Sequence, residues 1–537
     1  MSLQVQNLSY IHPDGDVRFR DIGFSVSRGT KCAIIGDNGT GKSTLLNILA
    51  GNISPTGGRI LCESAYLVPQ HFGQFDGRTV AEALGVADKL QALSAISNGE
   101  VSEKHFAALN DDWTVEERIA EAFARWDIAH VSASSPMSEL SGGEKTKVFL
   151  AGILIHDPAV VLMDEPTNHL DTGGRHRLYE YIRETGSTVL IVSHDRMLLN
   201  RLSALFEMSP DGMRFYPMPY DSYKELRDSE LAAKTNRLAS RQKEWNQAKK
   251  TARETAERQL KRNSRGEKRN EKKCIARIAM GNLHDKAQAS TARLNKTQQD
   301  KMQSIGDEIR EIRASIPQHA AMKINIGAPD LHTGKRLVEA KAINYAYPHR
   351  AALWDDPLSF SLFSGERIRL RGGNGQGKST LLKLITGAIV PTEGEIRRAA
   401  SLRCAYLDQE YSRIDDGATV FEQLAACHAR MQEHELKTCL NRFLFPPSSW
   451  DRKCARLSGG EKMKLALCCL TADRSAPDII LADEPTNNID LSSTEILTDT
   501  LKAFRGTLIV VSHDERFVEE IGITRNLTLE RDRTHMP

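Results

Sequence analysis

Apolar residues along this chain gather into short runs at residues 32–35, 65–68, 159–163 and 188–192, the last opening on Thr188. Runs of four or five without alternation predict short buried strands. Residues 3–8 and 22–26 read as further strands. Elsewhere the apolar spacing changes to three and four. Residues 45–50 and 148–155 then read as helices, and residues 75–139 as a helical subdomain with its own core. Residues 221–316 carry no strand pattern. Leu231, Leu238 and Trp245 recur every seven residues, and Met302, Ile305, Ile309, Ile312 and Ile316 every three or four. That predicts two long helices packed antiparallel on narrow apolar seams, with a basic turn at 261–273 and an apolar patch at 275–280 between them. From Leu337 the first half's order returns. The expectation is an α/β region over 1–216, a helical linker over 217–330 and a second α/β region over 331–537.

Chemistry enters at the ends of the predicted strands. Gly36-Asp37-Asn38-Gly39-Thr40-Gly41-Lys42-Ser43-Thr44 lies between a strand and a helix, and it fits the Gly-x4-Gly-Lys-Ser/Thr phosphate loop at every fixed position. Its glycines let backbone N–H groups turn inward around phosphates, and the helix N-terminus adds positive potential. Lys42 is expected to reach the β- and γ-phosphates and the Ser43 hydroxyl to hold Mg²⁺. The loop recurs 336 residues later as Gly372-Gly373-Asn374-Gly375-Gln376-Gly377-Lys378-Ser379-Thr380.

Four further signals follow each loop in the same order. Gln70 and Gln409 close short strands, where either could touch Mg²⁺ or an attacking water. Leu-Ser-Gly-Gly-Glu-Lys, with Ser141, Gly142 and Gly143 in the first copy and Ser458, Gly459 and Gly460 in the second, opens a helix and can approach an anion. Asp164-Glu165 and Asp483-Glu484 end apolar strands. Side chains alternate along a strand, so the aspartate suits the metal and the glutamate suits a general base. His194 and His513 follow the next strands, where a sensor of the terminal phosphate would stand. The offset between copies is 339 at the glutamine, 317 at the Ser-Gly-Gly serine and 319 at the glutamate and histidine. The first copy therefore carries 22 extra residues, placed at roughly 75–115. Tyr10 could stack on a base or simply pack inward.

Charge is unevenly placed. The net charge is only +2, yet residues 231–300 hold 19 Lys and Arg against 7 Asp and Glu, leaving the remainder at −10. This excess of +12 suggests a polyanionic partner for the segment, against the alternative of a solvated spacer. Trp245 is the only aromatic residue within it, which favours contacts to phosphates over base stacking. No apolar run approaches a membrane span and no signal peptide is evident, so a cytoplasmic protein without a membrane domain is expected. The nine scattered cysteines read as reduced fillers.

With two complete motif sets in order, the chain resembles the ABC-F family of tandem ATP-binding cassette proteins. Asp164-Glu165-Pro166-Thr167-Asn168-His169-Leu170-Asp171 is characteristic of that family. The second copy has Asn488-Ile489 for His-Leu and keeps Asp490. The resemblance implies two P-loop ATPase cassettes joined by the helical linker and paired head to tail within a monomer, hydrolysing ATP with Mg²⁺. Site one would join Lys42, Ser43, Gln70, Asp164, Glu165 and His194 to Ser458, Gly459 and Gly460. Site two would join Lys378, Ser379, Gln409, Asp483, Glu484 and His513 to Ser141, Gly142 and Gly143. It also implies a ribosomal partner, with 231–300 on rRNA and P-site tRNA and a linker tip at about 263–284, in a translation factor or an antibiotic-resistance factor. A DNA-maintenance ATPase and the ATPase subunit of a membrane transporter are the alternatives.

Overall fold

The computed structural model describes residues 2–529 apart from 14, 101, 210–211, 272–276, 317–323, 325, 328, 330, 350, 374, 410, 429–430 and 472–475. It forms two units, residues 1–220 with 322–537, and residues 221–321.

Within the first unit each α/β region is built the same way. In the first, parallel strands run in the order Ala65–Val68, Val160–Asp164, Thr188–Val192, Lys31–Ile35 and Ala204–Ser209, and Gly212–Tyr216 is added antiparallel at the edge. The second repeats this with Cys404–Leu407, Ile479–Asp483, Thr507–Val511, Arg367–Arg371 and Arg525–Thr528, all parallel. Val160–Asp164, Thr188–Val192, Ile479–Asp483 and Thr507–Val511 are buried at every residue, as strands covered on both faces require. A three-stranded antiparallel sheet packs beside each parallel one: Val17–Val26, Leu3–Ile11 and Gly57–Cys62 in the first region, and Leu358–Phe363, Arg336–Asn344 and Glu393–Arg398 in the second. Tyr10 is half-buried on that first sheet, its ring centroid 6.3 Å from that of Phe19, which is the inward packing that the sequence allowed.

The expected helical subdomain of the first region contains Val80–Ala83, Ala87–Ser97, Glu103–Leu109 and Val115–Arg125. The second region has Val420–Cys427 and Glu433–Arg442 in the matching interval. The extra residues thus supply helix. Asp112 ties it together, accepting from Lys89 at 2.8 Å and from Arg118 at 2.6 Å.

The second unit holds Tyr220–Glu271 (all but its first residue) and Arg277–Ala314, helices of 52 and 38 residues. At 1.5 Å per residue the longer extends about 78 Å. Arg241 Nε meets Glu308 Oε2 at 3.0 Å, and Lys234 Nζ donates to Ser315 O at 3.3 Å. Seven residues back on one helix correspond to seven forward on the other, so the pair is antiparallel as expected. Leu231, Leu238 and Trp245 are half-buried, and Ile305 and Ile312 are buried. One expectation is corrected. Residues 261–271, read as part of a basic turn, are helical, because Lys, Arg and Glu sustain a helix and Gly266 alone is too weak to end it. The remainder of that segment and part of the apolar patch, residues 272–276, lie outside the described residues, as do the side chains of 266–291.

Candidate functional site: two paired phosphate loops

Each phosphate loop leaves the central region of a parallel sheet. Lys31–Ile35 lies between Thr188–Val192 and Ala204–Ser209, and Gly36 follows with φ +150°. A Cβ there would stand 2.3 Å from Met208 O, so only glycine lets the chain turn at this point. Gly41, in the left-handed region at φ +96°, starts the helix Lys42–Leu49, and Gly377 at φ +84° does the same for Lys378–Thr386. Lys42 is buried and folds back on its own loop, donating from Nζ to Gly36 O at 2.6 Å and Asp37 O at 2.9 Å. Lys378 makes the matching bonds to Gly372 O at 2.8 Å and Gly373 O at 3.0 Å. Burial lowers the pKa of both lysines, while neighbouring carboxylates oppose it. Among those carboxylates are Asp490 of the second cassette at Lys42 and Asp171 of the first at Lys378. Gly39 and Gly375 also have positive φ. Thr40 Oγ1 donates to Asp37 O at 2.9 Å, and Gln376 Oε1 accepts from Gly373 N at 2.6 Å. Asn374 lies outside the described residues.

The carboxylate pairs diverge more sharply than strand alternation requires. Glu165 and Glu484 both sit at φ +47°, a conformation that costs a residue with a Cβ about 1–3 kcal/mol. Each is held there by the neighbouring strand and histidine. Glu165 N donates to Val192 O at 2.8 Å, and His194 N donates to Glu165 Oε2 at 3.2 Å. In the twin, Glu484 N donates to Val511 O at 2.9 Å, and His513 N donates to Glu484 Oε2 at 3.3 Å. The histidine rings complete the arrangement, with Nε2 at 3.4 Å from Glu165 Oε1 and 3.3 Å from Glu484 Oε1. Burial pushes His194 down to about 3 and His513 to about 4, so both rings are neutral. Burial, reinforced by Asp164, pushes Glu165 up to about 8, and burial raises Glu484.

The oxygen set suits Mg²⁺. Ser43 hydrogen-bonds to Asp164, whose buried Oδ1 has no hydrogen-bond donor. Tyr406 OH donates to Asp483 Oδ2 at 3.2 Å. Serine hydroxyl and carboxylate oxygens are the hard donors this ion takes, and a buried acceptor left unpaired is stabilised by a cation. Ser43 with Asp164, and Ser379 with Asp483, would hold it, and the ion would neutralise charge on the phosphates.

The two halves of the first unit meet at these loops. A cavity of about 600 Å³ is lined by Lys378, Ser379, Thr380, Gln409, Asp483, Glu484 and His513 from the second cassette and by Ser141, Gly142 and Gly143 from the first. Ser141 caps the helix Gly142–His156 in a reciprocal pair with Glu144, which fixes the helix N-terminus at the cavity wall. The first loop is closed more tightly. Asn38 N donates to Asp490 Oδ2 at 3.3 Å, and Ser492 Oγ donates to Asp37 Oδ1 at 3.2 Å. The cavity at Glu165 and His194 is only about 30 Å³, and residues 486–489 line it rather than Ser458, Gly459 and Gly460. Gly459 instead borders a cavity of about 800 Å³ with Gln409. Gln70 stands two residues beyond Ala65–Val68. Between the cassettes, Asn168 Nδ2 donates to Asn488 Oδ1 at 3.3 Å, Thr172 Oγ1 lies 3.3 Å from His513 Nδ1, and Arg196 Nη1 binds both Glu520 oxygens at 3.0 and 3.1 Å. Sequence reading missed Arg175, Thr172 and Arg196. None belongs to a short motif, though subtracting 319 would have flagged Arg175, whose counterpart is Thr494.

Comparison with known proteins agrees with this geometry. The sequence model described as ABC transporter matches residues 19–168 and 356–487, once in each cassette. The ATP-binding protein YdiF of Bacillus subtilis is 30% identical over 98% of this chain and 80% of its own length. ABC transporter F family member 5 of Arabidopsis thaliana is 27% identical over 94% of this chain and 71% of its own length. Among solved structures, an archaeal ribosome recycling factor, aABCE1, shares the fold with a TM-score of 0.58 at 19% identity, covering 97% of this chain and 87% of its own. Paired phosphate loops, duplicated Asp-Glu ends and these relatives together make the chain a member of the ABC-F family, a tandem-cassette ATPase that binds and hydrolyses ATP with Mg²⁺.

Proposed function

We propose that this ATPase acts on the ribosome, closing its cassettes on two ATP molecules and reopening them on hydrolysis while the helical linker reaches towards rRNA and P-site tRNA. In this reading Glu165 and Glu484 accept the proton of the attacking water. His194 and His513, neutral and hydrogen-bonded through their backbone to those glutamates, report the terminal phosphate. Lys42 and Lys378 exchange their bonds to loop carbonyls for phosphate oxygens. Gln70 and Gln409 would help to hold Mg²⁺ or the attacking water. The signature residues of the opposite cassette close each site: Ser458, Gly459 and Gly460 at site one, and Ser141, Gly142 and Gly143 at site two. The cassettes belong to residues 1–216 and 331–537, with 217–330 as linker, in a cytoplasmic monomer that serves as a translation factor or an antibiotic-resistance factor.

The observation that carries the ribosome reading is the linker. It is an antiparallel pair of helices of 52 and 38 residues, and the segment 231–300 within it has an excess of +12. A rod this basic, with one aromatic residue, suits the phosphate backbone of folded RNA. Two further facts support it. The fold neighbour aABCE1 is a ribosome recycling factor crystallised with the ribosomal stalk protein aP1. No helix among the described residues is long and apolar enough to cross a membrane.

Competition binding tests the target. The protein with ATP is bound to ribosomes and challenged with duplex DNA or with further ribosomes. Displacement by ribosomes at concentrations at least about tenfold below those needed for DNA supports the reading. Equal displacement would refute it and favour a general polyanion binder such as a DNA-maintenance ATPase.

A further inference from the structure

From the strand glutamate onward the two cassettes align at an offset of 319, so a residue near one site has a counterpart near the other. Asp171 matches Asp490, and His194 matches His513. At Arg175 the match fails, because residue 494 is threonine. Thr494 is turned into its own helix, donating from Oγ1 to Asp490 O at 3.0 Å. Arg175 is nearly buried and fixed from two sides. Its Nε donates to Leu170 O at 3.3 Å, and its Nη1 approaches Asp195 Oδ2 at 3.5 Å. Tyr179 OH donates to the same carboxylate oxygen at 2.6 Å. Although Arg175 belongs to the first cassette, it lines the cavity of site two with Lys378, Glu484, His513 and Ser141, and it also borders the much smaller cavity at Glu165 and His194. Its guanidinium is the leading charge acting on the Glu484 carboxyl, ahead of Lys378.

We propose that Arg175 is a catalytic arginine supplied across the interface to site two, where its guanidinium meets the terminal phosphate of ATP, and that site one has no equivalent. A planar guanidinium offers paired donors matched to phosphate oxygens, and its charge offsets the charge spread over them as the phosphoryl group transfers. Its low exposure, 12% of the side chain, strengthens that interaction by limiting solvent screening. The hydrogen bond to Asp195 keeps part of its charge engaged. The effect therefore falls below the 10³–10⁵ that a fully committed arginine gives. Site two becomes the faster of the two sites.

This inference rests on Glu165 and Glu484 being the general bases, and the test separates the two ideas. Turnover is measured for Glu165→Gln, in which only site two hydrolyses, for Glu484→Gln, in which only site one does, and for the double variant. Wild-type turnover in the double variant would refute the general-base reading itself. Given its loss there, Glu165→Gln should turn over faster than Glu484→Gln. Adding Arg175→Thr should lower kcat of the Glu165→Gln protein at least about tenfold, with KM changed by less than about threefold. The drop in the Glu484→Gln protein should be at least about five times smaller, and Arg175→Lys should restore part of the loss. Equal drops in both backgrounds, or none in Glu165→Gln, would overturn the proposal. Should Arg175→Thr fold poorly, Arg175→Gln keeps a donor for Asp195 while losing the charge, and it gives the same readout.

Discussion

Burial disfavours the ionised form that Glu165 needs as a base, so ionising it costs stability, and that cost can be measured. Burial takes its carboxyl from an ordinary 4.5 to about 8. A raised carboxyl pKa means the folded state binds a proton that the unfolded state has released, so stability is greatest below about pH 4.5 and falls as pH rises towards 8. At about 1.4 kcal/mol per pH unit, the interval from 4.5 to 7.5 sets a ceiling of about 4 kcal/mol. The polarisability of real interiors reduces this to about 1–3 kcal/mol. Glu165→Gln removes the titration yet keeps an oxygen for the His194 N–H that Glu165 Oε2 now accepts at 3.2 Å. Its amide can donate to Nε2 of the neutral His194, which stands 3.4 Å from Oε1. The variant should therefore melt higher than wild type at pH 7.5 without nucleotide or Mg²⁺. The rise should be about 2–12 °C for a cassette of some 200 residues, shrinking to about 2 °C or less at pH 5.0. The assay is differential scanning calorimetry at the two pH values in the presence of a chelator. A variant no more stable than wild type at pH 7.5, or one whose gain is undiminished at pH 5.0, would refute the reasoning.

Other outcomes follow from the same geometry. Gly36→Ala places a Cβ 2.3 Å from a backbone oxygen, so it should lose nucleotide binding at site one by at least about 100-fold while site two still binds; calorimetric titration of Lys378→Ala with and without Gly36→Ala reads site one, and Gly36→Ala alone reads site two. Chelating Mg²⁺ should abolish turnover, and Asp164→Asn together with Asp483→Asn should raise the Mg²⁺ concentration needed for half-maximal rate at least about tenfold. Replacing Arg262, Arg265, Lys268 and Arg269 with glutamine should reduce the salt slope of ribosome binding by about 3, because each phosphate contact contributes roughly 0.7–0.9; an unchanged slope would remove that stretch from the interface. Breaking the pair between Arg241 and Glu308 with Arg241→Ala should cost less than about 1 kcal/mol, because both partners are partly exposed.

The buried strands were legible because they are apolar without alternation and end in motif residues: residues 31–35 at the phosphate loop, 159–163 at Asp164. The linker was legible because Leu231 and Ile305 belong to seams with regular spacing. What escaped were features of backbone conformation and of contacts distant in sequence. Strand alternation suggested that Asp164 and Glu165 diverge, but the divergence comes from a left-handed backbone at Glu165, which no pattern of polarity encodes. Residues 261–271 are helical although their dense charge resembles that of a turn, because Lys, Arg and Glu are good helix formers. The unequal closure of the two loops depends on Asp490 and Ser492 reaching Asp37 and Asn38 some 450 residues away.

Ribosome cosedimentation of the Glu165→Gln/Glu484→Gln protein, with and without ATP at low and high salt, tests the central claim most directly. Pelleting should require ATP, weaken with salt and fall further when the four basic residues at 262–269 are neutralised. Absence of pelleting under every condition, from a protein shown to bind ATP, would contradict the claim.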